Sequence, residues 1–372
     1  IKLFDATETP TITITHNTKT GTTSAITVNP ANLASFSWSS IGTQIAGTGF
    51  TGTITAKDLY GNTTTKDESG VAFDGTDSVT FTTNATNSPA PTSNVPTYNG
   101  STLTGAGVTT DVNLSTGSFT TSSIILYNAA AAQTLTITRN AKTGVTSSFT
   151  VSPANLASFT WSTISAQTAG TGFTATVTAK DAYSNTTTKD TDGSTFISTE
   201  SVTFSTTATA SAGGNVPTYY NGTSDDDLTD GTTVTVNLTT GSFTTANIKL
   251  YDATETPTIT ITHNTKTGTT SAITVGPAAL NDFVVTPSTY SPTTDNIFTV
   301  TLTARDAYQN TKIDYTGANS VAWNWATGGS ASPKGTFALI PATGNQTFTS
   351  GVTAAITGFK LVKTETATIT AI

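Results

Sequence analysis

Few side chains in this chain are able to do chemistry, and their spacing limits what that chemistry is. Two histidines, His16 and His263, stand at matching positions of a repeated stretch, and the copy between them carries Arg139 there. A shared catalytic or metal role would have to survive loss of the imidazole, so the position reads as the polar end of a hairpin. The 372 residues include no Cys, which removes thiolate nucleophiles, disulfides and Cys-based zinc sites. No Gly-rich loop follows a strand and opens a helix, and no pair of carboxylates recurs with an accompanying base. The sequence therefore predicts no enzyme active site.

Carboxylates remain. Hard cations need several oxygens converging from a flexible turn. Three acidic stretches offer them: Asp67, Glu68, Asp74 and Asp77; Asp190, Asp192 and Glu200; and Asp225, Asp226, Asp227 and Asp230. The Asp190-Thr-Asp192-Gly turn and the SDDDLTDG loop are the better candidates, and calcium is the one cofactor they suggest; the competing reading is a solvated acidic loop. Trp38, Trp161, Trp323 and Trp325 have the type for a sugar-stacking platform. Trp38 and Trp161, however, are repeat equivalents beside Phe36 and Phe159, which favours packing. The N-x-S/T sequons are no more numerous than chance gives a chain this rich in hydroxyls.

The background of these residues is unusual. Charged residues make up only 10% of the chain, 23 acidic against 15 basic, for a net charge of −8. Thr alone supplies roughly 95 positions, so the surface is made of hydroxyls. Without a Lys/Arg cluster the chain has no footprint for nucleic acid or anionic membrane. No apolar run reaches 18 residues, so no membrane-spanning helix is expected.

The elements that position these residues repeat. TVNPANLASFSW at Thr27, TVSPANLASFTW at Thr150 and TVGPAALNDFVV at Thr274 set a period of about 123 residues. IKLFDATETPTITITHNTKTGTTSAITV opens at Ile1 and recurs from Ile248 with one change, Phe4 for Tyr251. Inside each repeat, TITITH, TATVTAKD and VTVNLTT alternate β-branched or aromatic residues with Thr, which is strand periodicity with one face buried. Thr keeps β-propensity while showing water a hydroxyl. Seven or eight such strands per repeat predict all-β, tandem Ig-like antiparallel sandwiches arranged head to tail as a rod. The expected divisions are 1–30 (last strands of a preceding repeat), 31–153, 154–277, and 278–372 (a repeat cut before its last strand). The expected core includes Phe36, Phe50, Tyr60, Phe81 and Leu114, and in the next repeat Phe159, Phe173, Tyr183, Phe204 and Leu238. The period exceeds an Ig sandwich of about 100 residues. The excess is assigned to loops, Asn84 to Gly107 and Ala208 to Gly231.

Three segments carry a resemblance: TAKDLYGN (Thr55 to Asn62), TAKDAYSN (Thr178 to Asn185) and TARDAYQN (Thr303 to Asn310). They resemble the strand-to-turn signature of bacterial Ig-like domains, the modules of invasin- and intimin-type adhesins and giant surface proteins. Read as a turn, Asp58, Asp181 and Asp306 cap amides, Tyr60, Tyr183 and Tyr308 fold onto the core, and the Asn adopts the left-handed conformation. Lys57 and Lys180 suggest the Lys–Asn isopeptide crosslinks of some surface adhesins, but Arg305 takes that place in the third copy and a guanidinium cannot form the bond. The resemblance implies an extracellular, cell-surface role. The expected function is a non-enzymatic structural or adhesive component of a fibre or stalk. An S-layer or sheath subunit and a spacer of a secreted polysaccharide-degrading enzyme are the alternatives. The expected partners are copies of itself or continuing repeats, head to tail, because both ends read as unfinished sandwiches.

Overall fold

The computed structural model describes residues 1–372, and it is built of β-strands joined by turns, with no helix. Accordingly, no helix is long and apolar enough to cross a membrane. The chain clusters into two compact units. The first comprises Ile1–Ser158, Ala179–Phe196 and Thr239–Gly241; the second comprises Phe159–Thr178, Ile197–Leu238 and Ser242–Ile372.

In the first unit an antiparallel sheet runs in the order Lys142–Val145, Leu135–Arg139, Asp77–Thr83, Val108–Val112. A second sheet runs Ser118–Thr120, Thr53–Lys57, Ser35–Trp38. Alternation along each strand turns every other residue inward, so Val79 and Phe81, Ile54 and Ala56, and Leu135 and Ile137 are all buried. They form one core with Phe36, Leu114 and Phe149. On the outer face, threonines directly opposite one another share hydroxyl hydrogen bonds of 2.9 Å, as between Thr80 and Thr109. The second unit repeats this, with Thr203 facing Thr233 and Thr260 facing Thr269, each at 2.9 Å.

The strands are antiparallel except for two short parallel pairs, Gln44–Ile45 with Phe149–Ser152 and Gln167–Thr168 with Val275–Gly276. There the chain crosses from one sheet to the other, and the last strand of the module closes against it. The stretches expected to be surplus loops are not plain loops. Thr97–Tyr98, Ser101–Thr102 and Ile124–Ile125 form a small sheet, as do Thr218–Tyr220, Asp225–Asp227 and Ile248–Lys249. Each lays a tyrosine over the core: Tyr98 stacks on Phe81 at 4.3 Å and Tyr219 on Phe204 at 4.8 Å.

Trp38 and Trp161 belong to packing. Their indole N–H groups donate to the carbonyls of Gly144 (3.0 Å) and Gly268 (2.9 Å), where a hairpin strand crosses the neighbouring strand at close range. A Cβ on Gly268 would lie 2.2 Å from the Phe159 carbonyl oxygen, and one on Gly144 would lie 2.3 Å from that of Phe36. Gly268→Ala is therefore expected to cost about 1–3 kcal/mol by overpacking, read as a lowered denaturant midpoint. A midpoint equal to wild type would show that the crossing has slack.

The third module, also in the second unit, pairs Leu280–Pro287 with Ile297–Asp306 over a core of Val300, Leu302, Trp323, Phe348 and Phe359. Trp323 is a core residue, and Trp325 packs against that core half-buried. At the start of the chain, the hairpin Thr13–His16 with Lys19–Thr22 is exposed along its whole length. Its Ile14 is 73% exposed, whereas its counterparts Ile137 and Ile261 are fully buried.

Candidate functional site

The D-x-Y-x-N segments build one constellation three times. Each begins where a strand runs out: Thr53–Lys57, Thr176–Lys180 and Ile297–Asp306. Asp58 Oδ1 accepts the amides of Tyr60 and Asn62, both at 2.9 Å. Its Oδ2 accepts the Ala31 amide at 3.0 Å and Asn62 Nδ2 at 2.9 Å. Asn62 then bridges to the segment before the module: its Nδ2 donates to the Phe4 carbonyl at 2.8 Å, and its Oδ1 accepts the Ala6 amide at 2.9 Å. Asn185 holds Tyr127 and Ala129 in the same way, at 2.8 and 2.9 Å. Asn310 holds Tyr251 and Ala253, at 2.7 and 3.1 Å. The tyrosine completes the clamp, with ring centroids 4.8 Å apart for Phe4–Tyr60, 5.1 Å for Tyr127–Tyr183 and 4.9 Å for Tyr251–Tyr308.

These residues thus form a joint between consecutive repeats, and two details of the expected turn are corrected. The tyrosines do not enter their own module's core. Tyr60 is 55% exposed, and Tyr183 packs against the core of the preceding module. The reason is direction: the turn projects from the sheet end, so its aromatic ring meets the previous repeat first. Nor does the Asn take the left-handed conformation. That falls to the residue before it, Gly61 (φ 87°), Ser184 (φ 66°) or Gln309 (φ 64°), which leaves the Asn amide free to bridge.

Gly47 and Gly170 sit under the clamping rings of Tyr183 and Tyr308. A Cβ at either would fall about 2 Å from the phenol, and both have positive φ. The turns that precede the small sheets contribute as well. Thr92 Oγ1 donates to Ser184 Oγ at 3.2 Å, and the Gly213 amide donates to the Tyr308 carbonyl at 3.0 Å. Sequence reading missed the receiving half of the joint. Its signal was present: the I-x-L-[FY]-x-A pattern at Ile1, Ile124 and Ile248 places an aromatic at the fourth position of each of the three segments that meet a D-x-Y-x-N turn.

Burial pushes the Asp58 pKa up, but hydrogen bonds from the Asn62 side chain and the amides of Ala31, Asn62 and Tyr60 outweigh it and hold the carboxyl below its ordinary value. A depressed folded pKa means that the stabilisation is complete above the unfolded value of about 3.9 and is lost as pH falls through the folded one. Acidification below about pH 4 is thus expected to loosen this joint. Amide exchange at Ala6 reports it; exchange at Ala6 that is the same at pH 3 and pH 7, after correction for intrinsic rates, would refute it.

The aspartates of the SDDDLTDG loop are held apart. Asp225–Asp227 is a strand paired with Thr218–Tyr220, so alternation sends Asp226 to the face opposite Asp225 and Asp227. Asp225 meets Lys249 Nζ at 2.6 Å, Asp226 accepts from Asn221 and Ser224, and Asp227 caps the Thr229 amide. Asp230 is exposed. Asp190 accepts the Thr191 amide and closes a turn on Ser194, while Asp192 accepts both the amide and the hydroxyl of Ser194, which lower its pKa.

The recurrent His/Arg position is more than a polar hairpin end. Arg139 lies 3.5 Å from both Glu68 and Asp77 with its guanidinium over Phe73, and buried His263 lies 3.8 Å from Glu200, the repeat equivalent of Asp77. His16 is exposed beside Asn17. Lys57 and Lys180 donate to the hydroxyls of Thr63 and Thr186, and Arg305 pairs with Asp282.

No protein-family model matches the chain, and no curated sequence matches it. Among solved structures, it is similar to the adhesin InvE of Yersinia pseudotuberculosis, at 14% identity over 72% of this chain and 68% of that one, with a TM-score of 0.23. It is also similar to domains 4–9 of the surface-layer protein SbsC, at 16% identity over 97% of this chain and 51% of that one, with a TM-score of 0.23. Scores this low carry no argument, and the all-β assignment rests on the strands themselves.

Proposed function

We propose that the chain is a non-enzymatic structural or adhesive component of an extracellular fibre or cell-surface stalk, built of Ig-like modules of the invasin and intimin type. The observation that carries this reading is the threefold joint. The same aspartate, tyrosine and asparagine fasten each module to the segment before it, with matching distances, and an element repeated between modules serves the array instead of any one module. Modules at 31–153, 154–277 and 278–372 follow one another through Pro30, Pro153 and Pro277, which shorten and stiffen the links. The partners are copies of the chain or continuing repeats, head to tail.

Electron microscopy of the purified chain tests it: extended single filaments or stalks support the reading. Flat lattices favour a surface-layer subunit, and compact particles without elongation overturn both. Calcium at Asp190 and Asp192 or at Asp225, Asp226, Asp227 and Asp230 is a separable part of the proposal. Chelation is expected to lower the melting temperature if these turns hold an ion, and a melt unchanged by chelator removes calcium from the account.

A further inference from the structure

A groove of about 770 Å³ opens in the third module between Pro287–Thr294 and Lys363–Ile369, with Val285, Phe298, Trp325, Leu361 and Ile369 among its walls. Its place is occupied in the two earlier modules. In the first, Phe149–Ser152 runs antiparallel to Ala130–Gln133 and parallel to Gln44–Ile45, burying Phe149 and Val151. In the second, the Ile273 amide donates to the Pro257 carbonyl at 2.8 Å, Val275 pairs with Gln167, and both Ile273 and Val275 are buried. The correspondence follows from register. Ala371 faces Trp323 as Ile137 faces Phe81 and Ile261 faces Phe204. Four residues earlier, Ala367 therefore stands where Gln133 and Pro257 stand.

The chain holds a third segment of matching sequence. Ile26-Thr27-Val28 is identical to Ile273-Thr274-Val275, and its Ile26 amide donates to the Pro10 carbonyl at 2.9 Å, as Ile273 does to Pro257. Yet Ile26 and Val28 are only half-buried, and the hairpin beside them is exposed on both strands. We propose that Ser24–Val28 of one copy inserts into the third-module groove of a second copy. The Ile26 amide then donates to the Ala367 carbonyl, and Ile26 and Val28 fill the positions that Phe149 and Val151 or Ile273 and Val275 fill elsewhere. The exchange trades one backbone hydrogen bond for another, Pro10 for Ala367, and gains burial of two apolar side chains. Pro30 follows the inserted strand as Pro153 and Pro277 follow theirs, so the incoming module inherits the placement of an ordinary next repeat. This insertion rests on the head-to-tail reading above and supplies its contact.

The Cys-free sequence makes the test clean. Ala367→Cys and Ile26→Cys variants of the 372-residue chain are each prepared, checked for folding by circular dichroism, mixed and mildly oxidised. Cross-strand partners on adjacent strands are close enough for a disulfide. The expected result is a disulfide-linked dimer in the mixture, about tenfold above that from Ile26→Cys mixed with the exposed control Thr223→Cys. A peptide spanning Thr22–Pro30 should suppress it, and the same peptide with Asp at both apolar anchors should not. Dimer yield equal to the control, with filaments still seen by microscopy, overturns the groove insertion and leaves the fibre reading standing on another contact. Control-level yield with no elongated assembly overturns both.

Discussion

Asp181→Ala is expected to destabilise the second module by about 3–5 kcal/mol, because it strands several donors at once. The carboxylate accepts the amides of Tyr183, Asn185 and Ala154 and the side chain of Asn185, all at 2.9 Å, and it is buried. An unsatisfied buried donor costs about 1–3 kcal/mol, and water entering the space left by the side chain recovers part of that. Asp181→Asn keeps one acceptor oxygen and the shape, so its loss should be less than half as large. Asn185→Ala is the informative contrast. It leaves Asp181 its three backbone donors but cuts the bridges to the Tyr127 carbonyl and the Ala129 amide. The module should stay folded while the joint frees, seen as faster exchange of the Ala129 amide at an unchanged module melting temperature. If Asn185→Ala lowers that temperature as far as Asp181→Ala does, the asparagine belongs to the module's own stability and the joint reading fails.

The alternation of β-branched residues with Thr made the all-β class and most of the core legible, because one buried face imposes a period of two that a sequence displays directly. Phe36, Phe81, Leu114, Phe159, Phe204 and Leu238 lie in the core as expected. Tyr60 and Tyr183 went the other way for a reason local pattern does not carry. A turn residue can pack inward or onto whatever lies beyond the sheet end, and only the three-dimensional succession of modules decides which. Likewise, the stretches assigned to loops contain Tyr98 and Leu103, or Tyr219 and Leu228, as buried anchors among polar residues. Strands of two or three residues are too short to show a period. The acidic run shows what sequence proximity leaves open: strand alternation turns Asp226 away from Asp225 and Asp227, and Lys249 and Asn221 engage two of the four aspartates.

Phe204→Ala should be the most damaging single truncation in its module, and the way it acts tests whether the modules fold as separate units. Phe204 is fully buried, with Tyr219 stacked at 4.8 Å, Trp161 edge-on at 5.8 Å and Phe243 at 6.3 Å. Phe81 has the same surroundings in the preceding module, with Tyr98, Trp38 and Phe119. Removing such a ring costs about 3–5 kcal/mol through lost burial and the cavity left behind. Three aromatic partners place it at the upper end, since each pair contributes about 0.5–1.5 kcal/mol beyond its area. Against a domain stability of about 5–15 kcal/mol, that loss is large enough to melt one module well before the others. Repeats coupled only to their neighbours have stabilities that approximately add, so calorimetry should resolve a single wild-type envelope into two steps, with the early one confined to residues of the second module. Phe81→Ala should produce the mirror result, with the early step in the first module. A Phe204→Ala protein that still melts in one step, lowered as a whole, would mean that the joints carry more free energy than the cores. The Asp181 and Asn185 variants would then be expected to exceed Phe204→Ala in effect, which reverses the expected order of severity.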